Sequence, residues 1–334
     1  MDFMAPIQVE KLTPPIKYGD KLLLIGSCFT EHIGNALSDH KFDILQNPHG
    51  ILFDPASVYH SLIRYIENTP YTEQDLFYLN EVWQSWHHHS RFSGMDKQTV
   101  LTQMNAALDE AHHFLKQAEW LIITLGSSFS YRLNEKAPGS HPAGLKVANC
   151  HRAPGQWFEK KMLEIDESVA LLDNLYHRLR LFNPNAKIIF TISPVRHLRD
   201  GVVANNRSKA RLLEAVHHIV NKFPHHYYFP AYELVIDVLR DYRFYDVDLA
   251  HPNYPATEFV LEHFTQACID AASRQLMEEI RSVVIARKHK PFHPDTQAHQ
   301  NFLNAQYGKA LRLSEKYPFL DLKEEMAFFK NAMT

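Results

Sequence analysis

The sequence predicts an α/β fold: a doubly wound, three-layer, mostly parallel sheet with a C-terminal helical extension. Apolar, β-branched runs at residues 21–25, 120–125 and 187–192 read as strands covered on both faces. Each run ends in a tight exit, at Gly26, Gly126 and Ser193-Pro194. Stretches with helical periodicity separate them, which is the alternation of a parallel sheet wrapped by helices.

The elements follow in order. Residues 21–25 form the first strand, with a helix to about His40 and a short second strand at 42–45. Asp54-Pro55 opens a helix through Ser57, Leu62 and Ile66, with Asp54 as N-cap and proline in the first turn. Residues 77–86 read as a β-hairpin turning near Leu79-Asn80, and Asp96 caps a helix through Leu101, Met104, Leu108 and Phe114. After the strand at 120–125, residues 127–156 read as irregular and 157–181 as one long helix. A helix from Asn205 to Lys222 follows the strand at 187–192, then a short strand at 227–229 and a helix at 232–239. One helix at about 255–286 closes the core, residues 286–294 form a basic linker, and 298–333 read as amphipathic helices broken at Pro318. This gives a main domain over residues 20–285 and an extension over 291–334.

Composition narrows the function classes. A chain of 334 residues with net charge −3 argues against a strongly basic nucleic-acid surface. Three cysteines, Cys28, Cys150 and Cys268, fit free thiols in a reducing compartment better than a disulfide framework. Residues 1–21 show no signal pattern, and no apolar run approaches the ~20 residues that span a bilayer. The expectation is a soluble cytoplasmic protein, with neither nucleic acid nor a membrane span among its partners.

The chemistry concentrates in two segments. Leu22-Leu23-Leu24-Ile25-Gly26-Ser27-Cys28-Phe29-Thr30 ends a strand in a turn that carries a hydroxyl and a thiol at a helix N-terminus. There the backbone N–H groups favour negative charge, which lowers a thiol pKa and stabilises an oxyanion. Far downstream, Asp246-Val247-Asp248-Leu249-Ala250-His251-Pro252-Asn253 places a carboxylate three residues before an imidazole. His251 suits a general base and Asp248 the group that orients it.

Other residues are weaker candidates. His87-His88-His89 invites a metal reading, but three consecutive side chains on a strand alternate faces, so a polar hairpin edge is the plainer reading. His89 with Arg91 could instead line a substrate cleft. Arg196 and His197, beyond a strand end, suit a carboxylate or phosphate, with a surface salt bridge as the alternative. Cys150-His151 reads as structural.

Together these segments resemble the GSCFA domain family, within the SGNH/GDSL-like hydrolase superfamily. The resemblance runs over roughly residues 20–270. It rests on Gly26-Ser27-Cys28-Phe29-Thr30, on Gln46-Asn47-Pro48-His49-Gly50-Ile51-Leu52-Phe53-Asp54-Pro55, on Thr124-Leu125-Gly126-Ser127-Ser128, on Asn149-Cys150-His151 and on Ser193-Pro194-Val195-Arg196-His197. It implies a hydrolase or acyltransferase acting on an ester or thioester, with carbohydrate acylation among the options. The superfamily's nucleophilic serine stands two positions after glycine, which here is Cys28, with Ser27 the competing nucleophile. The oxyanion donors implied are the nucleophile's own N–H, the Gly50 N–H and a side chain after Gly126, where Ser128 replaces the superfamily's asparagine and Asn47 is a substitute.

No cofactor and no metal centre are expected, and an acyl-thioester donor such as acyl-CoA is compatible with a cysteine nucleophile. The expected partner is a small-molecule or carbohydrate substrate. Two other functions compete: a metal-dependent hydrolase built on Asp246, Asp248, His251 and the three histidines, and an inactive binding protein on the same fold.

Overall fold

The structure, a computed structural model, describes residues 5–139 and 141–333. Residues 1–4, the start of the segment read for a signal pattern, and Ser140 and Thr334 lie outside the described residues.

The chain runs β1 (Lys21–Gly26), α1 (Cys28–Asp39), β2 (Asp43–Gln46), α2 (Pro55–Glu67), β3 (Phe77–Leu79), β4 (Val82–Gln84), α3 (Lys97–Gln117), β5 (Trp120–Leu125), β6 (Phe129–Leu133), β7 (Lys146–Val147), β8 (Phe158–Met162), α4 (Ile165–Phe182), β9 (Lys187–Ile192), α5 (Gly201–Lys222) and β10 (His226–Phe229). It continues through the short α6 (Ala231–Glu233) and then α7 (Tyr254–Cys268), α8 (Ala271–Lys288), α9 (Gln297–Lys316) and α10 (Lys323–Ala332). The central sheet has the order β10-β9-β5-β1-β2, and every neighbouring pair is parallel. The fold is thus a doubly wound α/β architecture with C-terminal helices.

Period-two alternation along the strands builds a core on each face of the sheet. Leu23, Ile25, Leu121, Ile123, Ile188 and Phe190 pack with α2 to α5 on one face. Leu22, Leu24, Trp120, Ile122 and Ile189 pack with α1 and α7 on the other. All eleven are buried, and each buried aliphatic side chain contributes about 2 kcal/mol. Residues of α8, α9 and α10 form a separate cluster that includes Ile280, Leu303, Leu313 and Phe329.

The capping signals act as read. Asp54 accepts the amides of Ala56 and Ser57, and Asp96 that of Thr99. Asn80 and Glu81 both have positive φ, the turn that suits a two-residue hairpin between β3 and β4. Three expectations are corrected. Residues 127–156 are not wholly irregular: β6 is the middle strand of an antiparallel sheet β7-β6-β8. Residues 158–162 are strand, not helix, because they pair with β6 over five positions; the helix starts at Ile165, where Glu164 and Glu167 form a capping box. The closing helix is two helices, since Ile269 bridges to Ile16 and Asp270 caps α8. No helix among the described residues is long and apolar enough to cross a membrane.

The chain leaves β1 toward β2 on one side and returns through β5 on the other. The strand order therefore reverses between β1 and β5, and ligand sites form beyond the carboxyl ends of strands at such a switch point. Gly26, Gly126 and Ser193 all stand at those carboxyl ends.

Candidate functional site

The turn from β1 into α1 is tightly built. Gly26 has φ +149°, and a Cβ there would sit 2.2 Å from the Thr124 carbonyl oxygen, so the position needs glycine. Its N–H donates to Asn47 Oδ1 at 2.9 Å, and the Ser27 N–H donates to Thr124 O at 3.1 Å. Ser27 is buried and caps α1, its Oγ accepting the Phe29 N–H at 3.3 Å. Cys28 is the first residue of the helix and only partly buried. A first-turn amide has no carbonyl within the helix to reach.

The Cys28 thiol departs from expectation. Burial pushes its pKa up, and the Glu31 carboxylate adds to this. The Phe29 and Cys28 amides and the Lys209 ammonium pull the other way without overcoming the burial. A helix terminus alone therefore does not depress this thiol, and His251 is not among the groups acting on it.

The downstream pair forms a compact unit. His251 Nδ1 lies 2.5 Å from Asp248 Oδ2, while Asp248 Oδ1 accepts the amides of Ala250 at 2.9 Å and His251 at 3.0 Å. Those amide bonds, then the imidazole, hold the Asp248 carboxyl down at about 2. The loop is fastened where Arg196 N–H donates to Ala250 O at 3.0 Å. His251 acts electrostatically on His32, whose pKa is lowered chiefly by burial. His32 is four residues after Cys28, on the same face of α1. The imidazole thus stands near the α1 face that carries Cys28, although no hydrogen bond joins it to Cys28 or Ser27 among the described residues.

The sequence reading missed Lys209. It lies on α5, is 1% exposed, and its Nζ donates to Gly126 O at 2.5 Å and Ser193 O at 2.6 Å. It therefore clamps the carboxyl ends of β5 and β9. Burial pushes its pKa down to about 7, and Cys28 raises it. A signal existed: Asn205, Ser208 and Lys209 continue the buried stripe of Leu212, Val216 and Ile219 toward the helix N-terminus. Polar residues on a core-facing stripe mark the end that meets the sheet's carboxyl edge.

The remaining candidates divide. Asn47 is fully buried and holds the Gly26 amide; its Nδ2 reaches Glu31 Oε1 at only 3.4 Å. Gly50 does not offer a free donor, because its N–H already bonds Asn47 O at 2.7 Å and its positive φ shapes the turn against His89. His89 and Arg91 do lie on this side: Glu31 and Arg91 both act on His89, and Arg91 Nη1 lies 3.8 Å from Glu31 Oε1. The Gly126 N–H is taken by Phe53 O, and Ser128 is fully buried with its hydroxyl on Ser208 Oγ at 3.1 Å, so Ser128 does not project into the site as an asparagine would. The Arg196 guanidinium packs over Tyr245 and Tyr242, at 4.4 and 5.1 Å, instead of presenting a free fork. His197 packs on Phe53, and its pKa falls to about 4 through burial, with Lys209 and His251 among the charges acting on it.

The three consecutive histidines are not a polar hairpin edge. His88 is fully buried between His49 and Tyr71, and His87 lines a cavity of about 330 Å³ with His49, His60 and Arg64. That cavity and a neighbouring one of about 320 Å³ share Lys146, and neither is lined by Cys28 or His251. No three His, Cys, Asp or Glu side chains converge in a metal-binding arrangement among the described residues.

Fold and site define a doubly wound α/β protein with a thiol at the N-terminus of its first helix and an Asp-His loop at the same sheet edge. The chain belongs to the GSCFA family, which it matches over residues 21–264. Residues 280–334 match the C-terminal domain of GSCFA domain proteins. Comparison with curated proteins finds no match. Among solved structures, an acetyl xylan esterase (Est2A) from the rumen bacterium Butyrivibrio proteoclasticus is similar at 14% identity and a TM-score of 0.35, over 80% of this chain and 65% of that one. The chain thus spans slightly under two thirds of that protein's length.

Proposed function

We propose that this protein is an SGNH-like hydrolase or acyltransferase that cleaves or transfers an acyl group through Cys28, with His251 as general base and acid and Asp248 as its orienting carboxylate. The observation that carries the reading is the 2.5 Å contact between His251 Nδ1 and Asp248 Oδ2. It fixes the proton on Nδ1 and leaves Nε2 as the basic nitrogen. The histidine–carboxylate pair serves the α1 terminus, where the Cys28 N–H can stabilise an oxyanion. Asn47 Nδ2, held only by its long bond to Glu31, is the second donor.

In this cycle His251 Nε2 takes the Cys28 S–H proton as Sγ attacks the acyl carbonyl, and passes that proton to the alcohol or thiol that leaves. His251 then takes a proton from water or an acceptor hydroxyl, which attacks the thioester, and returns it to the Cys28 thiolate that is released. Ser27 remains the helix cap.

The test is turnover of p-nitrophenyl acetate and of acetyl-CoA with a sugar acceptor, by wild type and by Cys28→Ala, His251→Ala, Asp248→Asn and Ser27→Ala. The first two variants should be inactive, and Asp248→Asn should lose at least about 100-fold. Ser27→Ala should keep turnover while losing about 1 kcal/mol of stability with its cap. An active Cys28→Ala beside a dead Ser27→Ala would make this a serine enzyme. No turnover of any ester or thioester by wild type would favour a binding protein.

A further inference from the structure

Arg132 and Lys146 stand directly opposite each other on the antiparallel strands β6 and β7. Opposed side chains share a face of the sheet, and like charges so placed weaken the pairing. The next pair along, Tyr131 and Val147, turns to the other face and packs with Trp86 and Phe158. The two cations turn toward α2 and α4, where they line the cavity of about 320 Å³ with Ser130, Tyr59 and Asn174. No hydrogen bond or ion pair reaches the Lys146 ammonium or the Arg132 guanidinium among the described residues. The carboxylates around them are engaged elsewhere. Glu167 accepts from Lys161 Nζ at 2.7 Å and from the Glu164 N–H at 2.9 Å, and Asp54 holds the amides of Ala56 and Ser57. Both act on Lys146 only from beyond ion-pairing distance. Glu67, in the adjoining cavity, accepts from Arg178 at 2.7 Å.

Lys146 also lines that adjoining cavity of about 330 Å³, whose walls differ in kind. Its one other cation, Arg64, is already paired with Asp75 at 3.6 Å and lies over the Tyr71 ring. His60 and His87 make no ring hydrogen bond among the described residues, and burial keeps both near 4, so near neutral pH each ring offers one donor and one acceptor. His49 bonds Ser61 Oγ through Nδ1 at 2.9 Å and has no partner for its buried Nε2 among the described residues. Ile63, Leu145 and Ala148 add apolar surface.

We propose that the two adjoining cavities bind one sugar phosphate, with the phosphate between Lys146 and Arg132 and the sugar hydroxyls toward His60 and His87. A phosphate monoester carries about two negative charges near neutral pH, which matches two cations that no carboxylate neutralises. A carboxylate would leave one of them unmatched. The guanidinium fork suits phosphate oxygens, and neutral imidazoles suit hydroxyls, which both donate and accept. Neither cavity is lined by Cys28 or His251, so the site is separate from the nucleophile turn and independent of the acyl-transfer reading.

The experiment is calorimetric titration at pH 7.5, in a phosphate-free buffer, with glucose 6-phosphate, glucose 1-phosphate, glucose and inorganic phosphate. The proteins are wild type, Lys146→Gln, Arg132→Gln and Cys28→Ala. At least one sugar phosphate should bind once per chain, with glucose and inorganic phosphate each weaker by about tenfold or more. Lys146→Gln and Arg132→Gln should each weaken it at least about tenfold, and Cys28→Ala should leave it unchanged. Without ligand, Lys146→Gln should melt no lower than wild type, since it relieves a repulsion. If one of the two cation variants does not fold, the other carries the test. No binding of either sugar phosphate, or binding no tighter than that of glucose, overturns the anion seat. Inorganic phosphate binding as tightly as the sugar phosphates overturns the hydroxylated body. Undiminished affinity in the cation variants, or affinity lost in Cys28→Ala, places the ligand elsewhere and overturns the site. A lower melting point for unliganded Lys146→Gln would make the lysine a structural group and overturn it too. Because no readout uses turnover, an inactive protein that binds the sugar phosphate keeps this site and loses the enzyme, and an active one that does not bind keeps the enzyme and loses this site.

Discussion

The backbone N–H of Arg196 donates to the Ala250 carbonyl at 3.0 Å, so the segment leaving β9 holds the loop that carries Asp248 and His251. The Arg196 side chain reinforces this by packing over Tyr245 and bonding the Tyr242 hydroxyl at 3.1 Å. Arg196→Ala should weaken the docking by about 1 kcal/mol, roughly a fivefold rise in loop opening. Limited proteolysis mapped by mass spectrometry should show faster cleavage between residues 242 and 251, with global unfolding little changed. Unaltered cleavage would mean that the backbone bond alone secures the loop.

Gly26→Ala tests the turn. The new Cβ would meet backbone atoms of Thr124 on the adjacent strand, which cannot swing away as a flexible side chain can. A loss of about 3 kcal/mol is expected in urea unfolding. A loss below about 0.5 kcal/mol, the range of neutral surface changes, would contradict this packing.

The buried histidines make stability depend on acid. Burial holds His49 at about 3, His87 at about 4 and His88 well below the ordinary imidazole value. Above about pH 6.5 the rings are neutral in both folded and unfolded chains. As the pH falls below that, the unfolded chain takes up protons that the folded one refuses, so stability falls with pH down toward 4. Both ring nitrogens of His88 lack partners among the described residues, in a site lined by His49, Tyr71 and Phe92. His88→Phe should gain about 1 kcal/mol at pH 7.5 and lose stability less steeply between pH 7 and 5. An unchanged acid slope would show that His88 contributes nothing to it.

The three thiols should react in a fixed order. Burial pushes Cys150 up to about 11 and Cys268, fully buried as the last residue of α7, further still. Cys28 is raised too, but amides and Lys209 offset part of the shift. Iodoacetamide labelling at pH 7.5 should therefore modify Cys28 first, Cys150 more slowly and Cys268 only on unfolding. Labelling of Cys150 ahead of Cys28 would place the reactive thiol elsewhere.

Local and periodic features were legible in the sequence because their causes are local. The apolar runs at β1, β5 and β9, the caps Asp54 and Asp96, and the glycine at position 26 each follow from a few neighbouring residues. So does the Asp248–His251 pair, three residues apart in one loop. Residues 158–162 were misread because Glu-Lys-Lys between two apolar residues suits a helix as well as a strand, and only pairing with β6 decided it. Gly50 and Ser128 looked like site donors, yet their hydrogen-bonding capacity goes to Asn47 and Ser208, 80 residues away in the second case. Lys209 is the clearest limit. Its place on the core-facing stripe of α5 is legible, but nothing nearby in sequence reveals the carbonyls of Gly126 and Ser193 that receive it. The sequence by itself determined the central strands β1, β5 and β9, the turns that close them and the residue types at the sheet's carboxyl edge. The tertiary structure alone decided which groups are buried there, and so which can exchange a proton, because desolvation and long-range hydrogen bonding depend on segments that meet only in the folded chain.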